Sequence, residues 1–385
     1  MPPESRKYSY GRQSISEADI RSVTEALRSD FLTQGPLVGQ FEESLCRYTG
    51  ARYAVAVANG TVALHLAALA LGIEPGDEAV TSPNTFLASA NCVVYCGGNP
   101  VFADIEPATA NLDPKKIEAK ITPNTKAIIP VHFAGQPCDM AAIQKIAKKH
   151  KLKVIEDAAH AIGSDYKDSK VGSCRYSDLT TFSFHPVKTI TTGEGGAITT
   201  NDGELYEKLL TLRSHGMTKN PKRLEKNDGP WYYEMQTLGY NGRITDLQAA
   251  LGLSQLKRLE TFKKKRRKLV EAYRKLFDND ERFAMLEEKA YSSACFHLCP
   301  LLLNFEVVKK TKKEIFASLA ERGIYLQVHY IPVHTQPFYQ ARGFKDGDFP
   351  HAEEYYRRTM SLPLYPDLSV SDTRYITRTI KEVVR

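Results

Sequence analysis

The sequence places a lysine in a loop whose neighbours are mainly glycine and threonine. Lys188 follows the β-branched run Thr180–Phe184 within HPVKTITTGEGGAITT, so little side-chain bulk is expected to cover it. A lysine outside an amphipathic helix can act as a nucleophile when burial or nearby positive charge lowers its pKa from about 10.4. Lys188 is therefore a candidate nucleophile.

Two other predicted strands end in residues that could bind a ligand. Asp157 follows Val154–Glu156 and precedes Ala158-Ala159-His160, where the two small side chains leave room for a flat ligand beside the carboxylate. Asn59-Gly60-Thr61 follows Tyr53–Ala58 and precedes an apolar helix, so free backbone N–H groups and a hydroxyl could bind phosphate there. Each has a simpler interpretation, as a helix cap and as an ordinary turn with an N-cap.

The amine, the carboxylate and the phosphate site together match what pyridoxal 5'-phosphate (PLP) requires. Lysine forms an imine with this cofactor, aspartate keeps the pyridine nitrogen protonated so that the ring withdraws electrons, and a helix N-terminus binds the phosphate. Asp157 and Lys188 are 31 residues apart, which is about one strand–helix–strand unit. We therefore predict PLP as the cofactor.

Short β-branched runs alternate with helical segments through the first two thirds of the chain. One helical segment, Met140–His150, has apolar residues at a 3.6-residue period. The alternation predicts an α/β fold with a doubly wound, largely parallel sheet, in which ligands bind beyond the carboxyl ends of the strands. The predicted strands are Tyr53–Ala58, Glu78–Thr81, Pro100–Ala103, Ala127–Val131, Val154–Glu156 and Thr180–Phe184.

The sequence pattern changes at Leu256, where a long amphipathic helix is predicted. LKRLETFKKKRRKLVEAYRKLF has apolar residues at 256, 259, 262, 269, 273 and 276, and the later segments LLLNFEVV and IYLQVHYIPV are strand-like around a helical Lys312–Arg322. Because 385 residues exceed the usual size of one domain, we predict a large domain over 1–255 and a smaller α+β domain over 256–385. The basic run Lys263–Lys268 is interpreted as a solvated helix face, with a nucleic-acid site as the alternative.

The composition is that of an ordinary globular protein from a reducing compartment. Hydrophobic residues make up 42% of the chain, and the net charge of +7 is too small over this length to indicate nucleic-acid binding by itself. The seven cysteines are interpreted as mostly buried thiols rather than metal ligands, although Cys92/Cys96 and Cys295/Cys299 could each share a helix face. MPPESRKYSYGRQ lacks the apolar core of a signal peptide, and Ala54–Ile73 is interpreted as a strand, a turn and a buried helix rather than a membrane span. We expect a cytoplasmic protein without metal, membrane or nucleic-acid partners.

Six segments resemble the DegT/StrS-like nucleotide-sugar aminotransferases, which have PLP fold type I. They are LTQGPLVGQFEESL, EDAAHAIGS, TFSFHPVKTITTGEGGAITTND, LRSHG, LGYNGRITDLQAALGLSQL and QVHYIPVH. The resemblance extends from about Tyr10 to Leu364 and is most specific around the lysine. It implies a homodimer with shared active sites that moves an amino group from an amino acid, with L-glutamate expected, to a nucleotide sugar.

The resemblance also implies a role for each cofactor-binding residue. Lys188 would bind the cofactor covalently and then move a proton between substrate and cofactor carbons, while Asp157 would pair with the pyridine nitrogen. His160, in a position where many relatives have Gln, would contact the ring hydroxyl, and Phe86 would stack on the ring. The residues implied to hold the phosphate are Gly60, Thr61 and Ser183, together with Asn241 of the partner subunit.

The residues implied to contact the sugar nucleotide come from three segments. His329 is a candidate for binding the diphosphate or the sugar. Without the resemblance we would interpret Tyr10 as a surface aromatic residue, Asp30 as a turn residue and His329 as an ordinary strand histidine. The implied substrate residues are Tyr10, Asp30, Phe31, Leu32, Thr33, Gln327, Val328, His329 and Tyr330.

Three positions depart from the pattern of the relatives. Asn59 and Val62 stand where relatives often have Ser and Ala, and Gly242 replaces the usual aromatic residue after Asn241. These departures bear on the shape that faces the substrate and on the contact between subunits.

One branch of the family fits best. GPWYYEMQTLGYN, VHYIPVH and FPHAEEYY resemble transaminases that act on a 4-keto-6-deoxy UDP-N-acetylaltrosamine intermediate on the route to pseudaminic acid. The alternatives are the same reaction on another nucleotide-linked keto-sugar, a dehydratase on the same scaffold and a non-catalytic regulatory or nucleic-acid-binding protein. Lys188 argues against the dehydratase, in which histidine replaces the lysine, and GEGG at 193–196 does not match the GxGxxG of an NAD enzyme.

Overall fold

The computed structural model describes residues 7–385. The first six residues of the polar N-terminal segment lie outside the described residues. The α-helices are α1 Glu17–Leu27, α2 Pro36–Thr49, α3 Gly60–Ala70, α4 Ala88–Tyr95, α5 Pro114–Ile117, α6 Met140–His150, α7 Gly203–Arg213, α8 Asp246–Leu256, α9 Leu259–Phe277, α10 Lys312–Glu321, α11 Pro337–Gln340, α12 Pro350–Arg358 and α13 Val370–Val383.

The strands are β1 Tyr8–Ser9, β2 Tyr53–Val57, β3 Glu78–Thr81, β4 Asn99–Phe102, β5 Thr125–Ile129, β6 Lys153–Asp157, β7 Asp165–Tyr166, β8 Ser169–Lys170, β9 Leu179–Ser183, β10 Gly196–Thr200, β11 Met217–Thr218, β12 Glu234–Met235, β13 Phe283–Met285, β14 Ser292–Ser293, β15 Cys299–Leu303, β16 Ile324–Tyr325 and β17 Thr359–Leu362. Three short 3-10 helices cover Glu118–Lys120, Phe133–Gly135 and Val333–Thr335.

A seven-stranded sheet forms the centre of the N-terminal two thirds. Its order is β2-β10-β9-β6-β5-β3-β4, and only β10 runs antiparallel to its neighbours. Most of its strand residues are buried, as expected for a sheet that helices cover on both faces. The predicted α/β fold with a mostly parallel sheet is confirmed.

Strand β10 is not among the predicted strands, because GAITT continues the Gly- and Thr-rich segment that contains Lys188. These five residues are fully enclosed between β2 and β9, where β-branched side chains pack well. Because β10 is antiparallel to both neighbours, β2 and β9 run in the same direction. The carboxyl ends of β2, β9 and β6 therefore lie at one edge of the sheet.

The apolar stretch Ala54–Ile73 forms β2, a turn and the buried helix α3, as predicted. The Asn59 side chain caps α3 by accepting a hydrogen bond from the Val62 N–H at 2.9 Å. Among the described residues, no helix combines the length and apolar character that a membrane span needs.

The long helix predicted from Leu256 is present as α9, which begins three residues later than predicted. Helix α8 ends at Leu256 and α9 begins at Leu259. The buried face of α9 ends on Phe277 rather than on Leu276. The break between α8 and α9 separates two packing environments. Helix α8 packs against α1 and α2, whereas α9 packs against the C-terminal core.

The basic run on α9 is not a uniformly solvated face, so that prediction was wrong for two of its members. Lys263 and Arg266 are buried. Arg266 Nη1 donates to the carbonyl oxygens of Leu364, His297 and Phe296 at 3.0, 3.2 and 3.3 Å. Burial lowers the pKa of Arg266 to about 10.

The C-terminal third contains helices and an antiparallel sheet in the order β13-β15-β17. In the two strand-like segments only Cys299–Leu303 and Ile324–Tyr325 form strands, because a turn follows the first and irregular backbone follows the second. Tyr8 packs in the core of this region, and β1 pairs with β16. The division at residue 255 stays a prediction.

Cys92 and Cys96 lie one turn apart at the end of α4 and belong to one buried apolar cluster, whereas Cys295 and Cys299 do not share a helix. Cys96 caps the end of α4 behind Cys92, while Cys295 lies in a loop and Cys299 begins β15. All seven cysteines are free thiols, and all except Cys46 are buried, as predicted.

Candidate active site

The ends of β2, β6 and β9 open into a cavity of about 880 Å³. Segments 85–88 and 327–331 form its other walls. The predicted residues that line the cavity are Tyr10, Gly60, Thr61, Phe86, Asp157, His160, Ser183, Lys188, Gln327, Val328, His329 and Tyr330.

Lys188 lies in the turn that follows β9. Its backbone N–H donates to the His185 carbonyl at 2.9 Å, which fixes the turn. Burial lowers the pKa of the Lys188 amine to about 8, although the charge of Asp157 opposes the shift. Near pH 8 a substantial fraction of the Lys188 amine is therefore neutral, and the neutral amine is the nucleophilic form.

Asp157 is the last residue of β6, and both of its carboxylate oxygens are anchored. Oδ2 accepts a hydrogen bond from Ser89 Oγ at 2.6 Å and Oδ1 accepts one from the Ala159 N–H at 3.0 Å. Two backbone hydrogen bonds also hold Asp157. Its N–H donates to the Pro130 carbonyl, and its carbonyl accepts from the His132 N–H. The sheet thus presents a carboxylate of fixed orientation at the cavity wall.

The N-terminus of α3 forms a cradle for an anion. Because Asn59 caps Val62, the N–H groups of Gly60 and Thr61 are left at the start of the helix, where the helix dipole favours negative charge. A Cβ at Gly60 would lie 2.8 Å from Ser183 Cβ, so only glycine fits between the helix and β9. The hydroxyls of Thr61 and Ser183 line the same part of the cavity, and this arrangement suits a phosphate.

Phe86 offers an exposed aromatic face inside the cavity. Its side chain is 58% exposed although it is strongly apolar. The nearest aromatic neighbour in the cavity wall is Tyr330, whose ring centroid is 6.2 Å away. An aromatic face left open in a cavity is suited to stacking on a planar ligand.

His160 is a neutral imidazole with an assignable tautomer. Burial and the charge of Lys188 hold its pKa well below the usual value. The Ala134 N–H donates to Nδ1 at 3.3 Å, so the ring proton is on Nε2, which donates to Tyr330 Oη at 2.9 Å. His160 therefore acts as a hydrogen-bond donor on the cavity side.

His329 is also neutral. Burial, with a contribution from Lys188, lowers its pKa to about 3. Its Nδ1 is 2.8 Å from Ser361 Oγ, and its ring centroid is 5.1 Å from that of Tyr10. It can contact a diphosphate or a sugar through a hydrogen bond but not as a cation.

The structure adds cavity residues that sequence reasoning missed. His297 lies with its ring centroid 4.6 Å from that of His160, and burial holds its pKa well below the usual value. His185, Glu194 and Gln336 also line the cavity. His185 lies in the lysine motif, whereas no sequence pattern marks His297, because its place in the cavity depends on long-range packing.

The sequence profile of the DegT/DnrJ/EryC1/StrS aminotransferase family matches residues 13–381. The chain belongs to this family. It is 44% identical to the spore coat polysaccharide biosynthesis protein SpsC of Bacillus subtilis, over 98% of this chain and 97% of SpsC. It is 39% identical to the UDP-4-amino-4,6-dideoxy-N-acetyl-beta-L-altrosamine transaminase of Campylobacter jejuni, over 97% of each protein.

Solved structures of family members share the fold. PseC of Helicobacter pylori, an aminotransferase involved in the biosynthesis of pseudoaminic acid, matches with a TM-score of 0.90 and 35% identity, over 98% of this chain and 99% of PseC. Spr1654 of Streptococcus pneumoniae in its PLP form matches with a TM-score of 0.91 and 32% identity, over 98% of each chain. The protein is a PLP-dependent sugar aminotransferase of fold type I, and the predicted fold and cofactor are confirmed.

Two groups of predicted residues do not line the cavity that the described chain forms. Asp30, Phe31, Leu32 and Thr33 are exposed residues outside it. The start of α2 that follows them is held by Asp246, which accepts hydrogen bonds from the N–H groups of Gly35 and Leu37 at 2.8 and 3.0 Å. Asn241 is also exposed outside the cavity, in an isolated bridge with Ser214.

Histidines and Lys188 supply the basic groups of the cavity in one subunit. Among the described residues that line it, there is no arginine. Arg213, which lies in the family motif LRSHG, is held by Glu42 at 2.5 Å and by the Ala56 carbonyl at 2.8 Å. The structure therefore gives Arg213 a structural role at the back of β2.

The departures at Val62 and Gly242 are in contact. A Cβ at Gly242 would lie 2.9 Å from Val62 Cγ1, which is closer than carbon atoms normally approach. Sequence comparison alone presented these as two separate departures, whereas the structure shows one local adjustment beside the phosphate cradle.

Proposed function

We propose that this aminotransferase moves the amino group of L-glutamate to the 4-keto carbon of a 4-keto-6-deoxy UDP-N-acetylhexosamine, in the biosynthesis of a pseudaminic acid type sugar. The observation that carries the proposal is the cavity in which Lys188, with a pKa of about 8, lies with Asp157 at the end of the sheet. The names of the C. jejuni transaminase and of PseC support the choice of sugar.

In this proposal each cavity residue has one task. PLP, when bound, withdraws electrons from the carbon that gains or loses a proton. The neutral amine of Lys188 accepts and returns that proton, and Asp157 keeps the pyridine nitrogen protonated. Gly60, Thr61 and Ser183 bind the phosphate, while Phe86 stacks on the ring.

The substrate half of the cavity recognises the sugar nucleotide. His160, whose Nε2–H bonds to Tyr330 Oη, contacts the ring hydroxyl of the cofactor. Tyr10 and the segment 327–330, with His329 as a neutral hydrogen-bonding group, contact the sugar and the diphosphate.

The active enzyme in this proposal is a homodimer that shares its sites. Asn241 of the partner subunit completes the phosphate site, and the loop of Asp30, Phe31, Leu32 and Thr33 approaches the neighbouring cavity. Phe31 and Leu32 in this loop, and Tyr240 next to Asn241, are exposed large apolar side chains, as expected for residues that a partner would cover. The free thiols are consistent with the cytoplasm as the location.

The test is an assay of the purified protein with L-glutamate and a panel of 4-keto-6-deoxy UDP-sugars. We expect amination at carbon 4 of a UDP-N-acetylhexosamine derivative. Preference for a different nucleotide-linked keto-sugar would favour a second candidate, which the 44% identity to the polysaccharide biosynthesis protein SpsC supports. No amination of any keto-sugar in the panel would overturn the proposal.

A further inference from the structure

A chain of two hydroxyl groups stands behind Asp157. Thr85 Oγ1 is 2.7 Å from Ser89 Oγ, and Ser89 Oγ is 2.6 Å from Asp157 Oδ2. All three side chains are buried, with Ser89 completely inaccessible to solvent. Because these hydroxyl groups are buried, where the dielectric constant is low, their hydrogen bonds act more strongly on the Asp157 carboxylate than they would in water.

The direction of the hydrogen bonds follows from the donors available. An ionised carboxylate only accepts, so Ser89 donates its single proton to Asp157 and accepts the proton of Thr85. A second acceptor for Ser89, the Phe86 carbonyl, is farther away at 3.4 Å. The short distance to Asp157 is typical of a charge-assisted hydrogen bond.

Ser89 has no equivalent among the other groups that face Asp157. The titratable groups that interact with the charge of Asp157 are Lys188, Tyr330 and Cys92. Within residues 7–385, Ser89 is the one side chain that donates a hydrogen bond to the carboxylate, and the only other donor is the Ala159 N–H.

One short segment positions both Ser89 and the cavity aromatic residue. Thr85 and Ser89 are four residues apart at the start of α4, and Phe86 projects into the cavity between them. The Ser89 N–H donates to the Phe86 carbonyl at 3.3 Å, which makes the turn compact. The same turn therefore sets the stacking face and supports the carboxylate.

We propose that Ser89, oriented by Thr85, is a positioning residue that holds the Asp157 carboxylate in place for the pyridine nitrogen of PLP. The inference rests on the proposed role of Asp157. Ser89 itself does not touch the cofactor. Loss of its hydroxyl removes one of the two donors that fix the orientation of the carboxylate. The carboxylate then pairs less well with the pyridine nitrogen, which loses its proton more easily.

The experiment uses the enzyme reconstituted with PLP carrying ¹⁵N in the ring. The ¹⁵N chemical shift against pH reports protonation of this nitrogen independently of turnover. For Ser89→Ala we expect the proton affinity of the nitrogen to fall about tenfold or more, as for loss of a hydrogen bond to a charged group, and kcat to fall with little change in the KM for the sugar. Thr85→Val should shift the titration in the same direction by less, and Ser89→Thr should restore it.

The matched control is Ser164→Ala. Ser164 is equally buried, donates to the Gly135 carbonyl at 2.7 Å and accepts from the Cys295 N–H at 2.8 Å, without contacting Asp157. Ser164→Ala should lower stability but leave the ¹⁵N titration unchanged. A wild-type titration in Ser89→Ala, or an equal shift in Ser164→Ala, would overturn the inference.

A second variant separates this inference from the proposed role of Asp157. If Asp157→Asn loses the nitrogen proton while Ser89→Ala keeps it, the role of Asp157 stands and the inference about Ser89 is wrong. If Asp157→Asn also titrates as wild type, Asp157 does not hold the nitrogen and both proposals fail.

Discussion

The two halves of the active-site cavity are built in different ways. The cofactor half is built on the ends of β2, β6 and β9, the turn after β9 and the N-terminus of α3, so the regular backbone hydrogen bonds of the sheet fix its frame. The substrate half consists of Tyr10 and the segment 327–331, which follow the two-residue strands β1 and β16. An isolated bridge between Gln327 and Ser361 holds that segment.

The difference separates the chemistry of the enzyme from its choice of sugar. A sheet edge keeps an amine, a carboxylate and an anion cradle in register, and these groups suffice for any PLP transamination. Irregular segments can change in shape without disturbing the sheet. Gln327 is exposed and Val328 is partly exposed, as expected for residues that a bound substrate would cover.

The largest effect should come from the cofactor half. Lys188→Ala should abolish turnover, because Lys188 is the one lysine among the described residues that line the cavity. Borohydride reduction of the wild type should fix the pyridoxyl mass on the peptide that contains Lys188, as read by mass spectrometry. The control is Lys312→Met, which removes another lysine whose pKa burial lowers to about 8 but which lies outside the cavity. Label on any other lysine would contradict the assignment.

A smaller loss is expected at Asn241, which in the proposed homodimer completes the cofactor half of the neighbouring subunit. Asn241→Ala should cost about 1.5 to 3 kcal/mol, or about tenfold to a hundredfold in PLP affinity, through loss of one charge-assisted hydrogen bond. Mixing it with inactive Lys188→Ala under subunit exchange should create heterodimers with one restored site, which has Lys188 from one protein and Asn241 from the other. If mass spectrometry shows exchange but activity does not exceed that of the separate proteins, each subunit works alone.

Burial of Lys188 should also make the stability of the apoenzyme depend on pH. Its pKa is about 8 when folded and 10.5 otherwise, so the unfolded chain binds more protons between these values and stability rises with pH through this window. At pH 7, Lys188→Met should be more stable than wild type by about 2 kcal/mol, since part of the amine faces the open cavity. Urea unfolding at equal protein concentration checks this. A constant difference between pH 7 and 10.5 would mean that the gain has another cause.

The same contrast explains what the sequence could predict. Lys188, Asp157 and Gly60 follow buried strands of recognisable pattern, so local sequence placed them at one sheet edge. His297 and Ser89 gained their contacts from chain segments that are distant in sequence, and no local pattern encodes such contacts. Arg266 lies in a basic run that resembles a solvated surface, yet its side chain is buried against carbonyl groups of the C-terminal region.

Of the site residues implied only by the resemblance, some line the cavity and others do not. Tyr10 and His329 line the cavity, whereas Asp30 and its neighbours do not line the cavity of their own subunit. A sequence motif predicts which residue occupies a position, but it does not predict whether that residue lines the cavity of its own chain. The distinction needs the structure of the chain and, for Asn241, the mixing experiment.

The smallest predicted effect concerns Val62 and Gly242, beside the phosphate cradle. A β-branched residue in a helix has one strongly preferred rotamer, so Val62 cannot easily move from a Cβ at position 242, and Gly242→Ala should cost about 1 kcal/mol by overpacking. Val62→Ala removes the clashing Cγ1 atom, so the double variant should recover much of this loss, with a coupling of about 1 kcal/mol in the free energy of unfolding. The control is Gly203→Ala, where a Cβ would meet no atom closer than 3.5 Å, and its effect should add to that of Val62→Ala. Simple additivity of the Val62 and Gly242 changes would mean that the two departures arose independently and that the loop after Asn241 adjusts without help from α3.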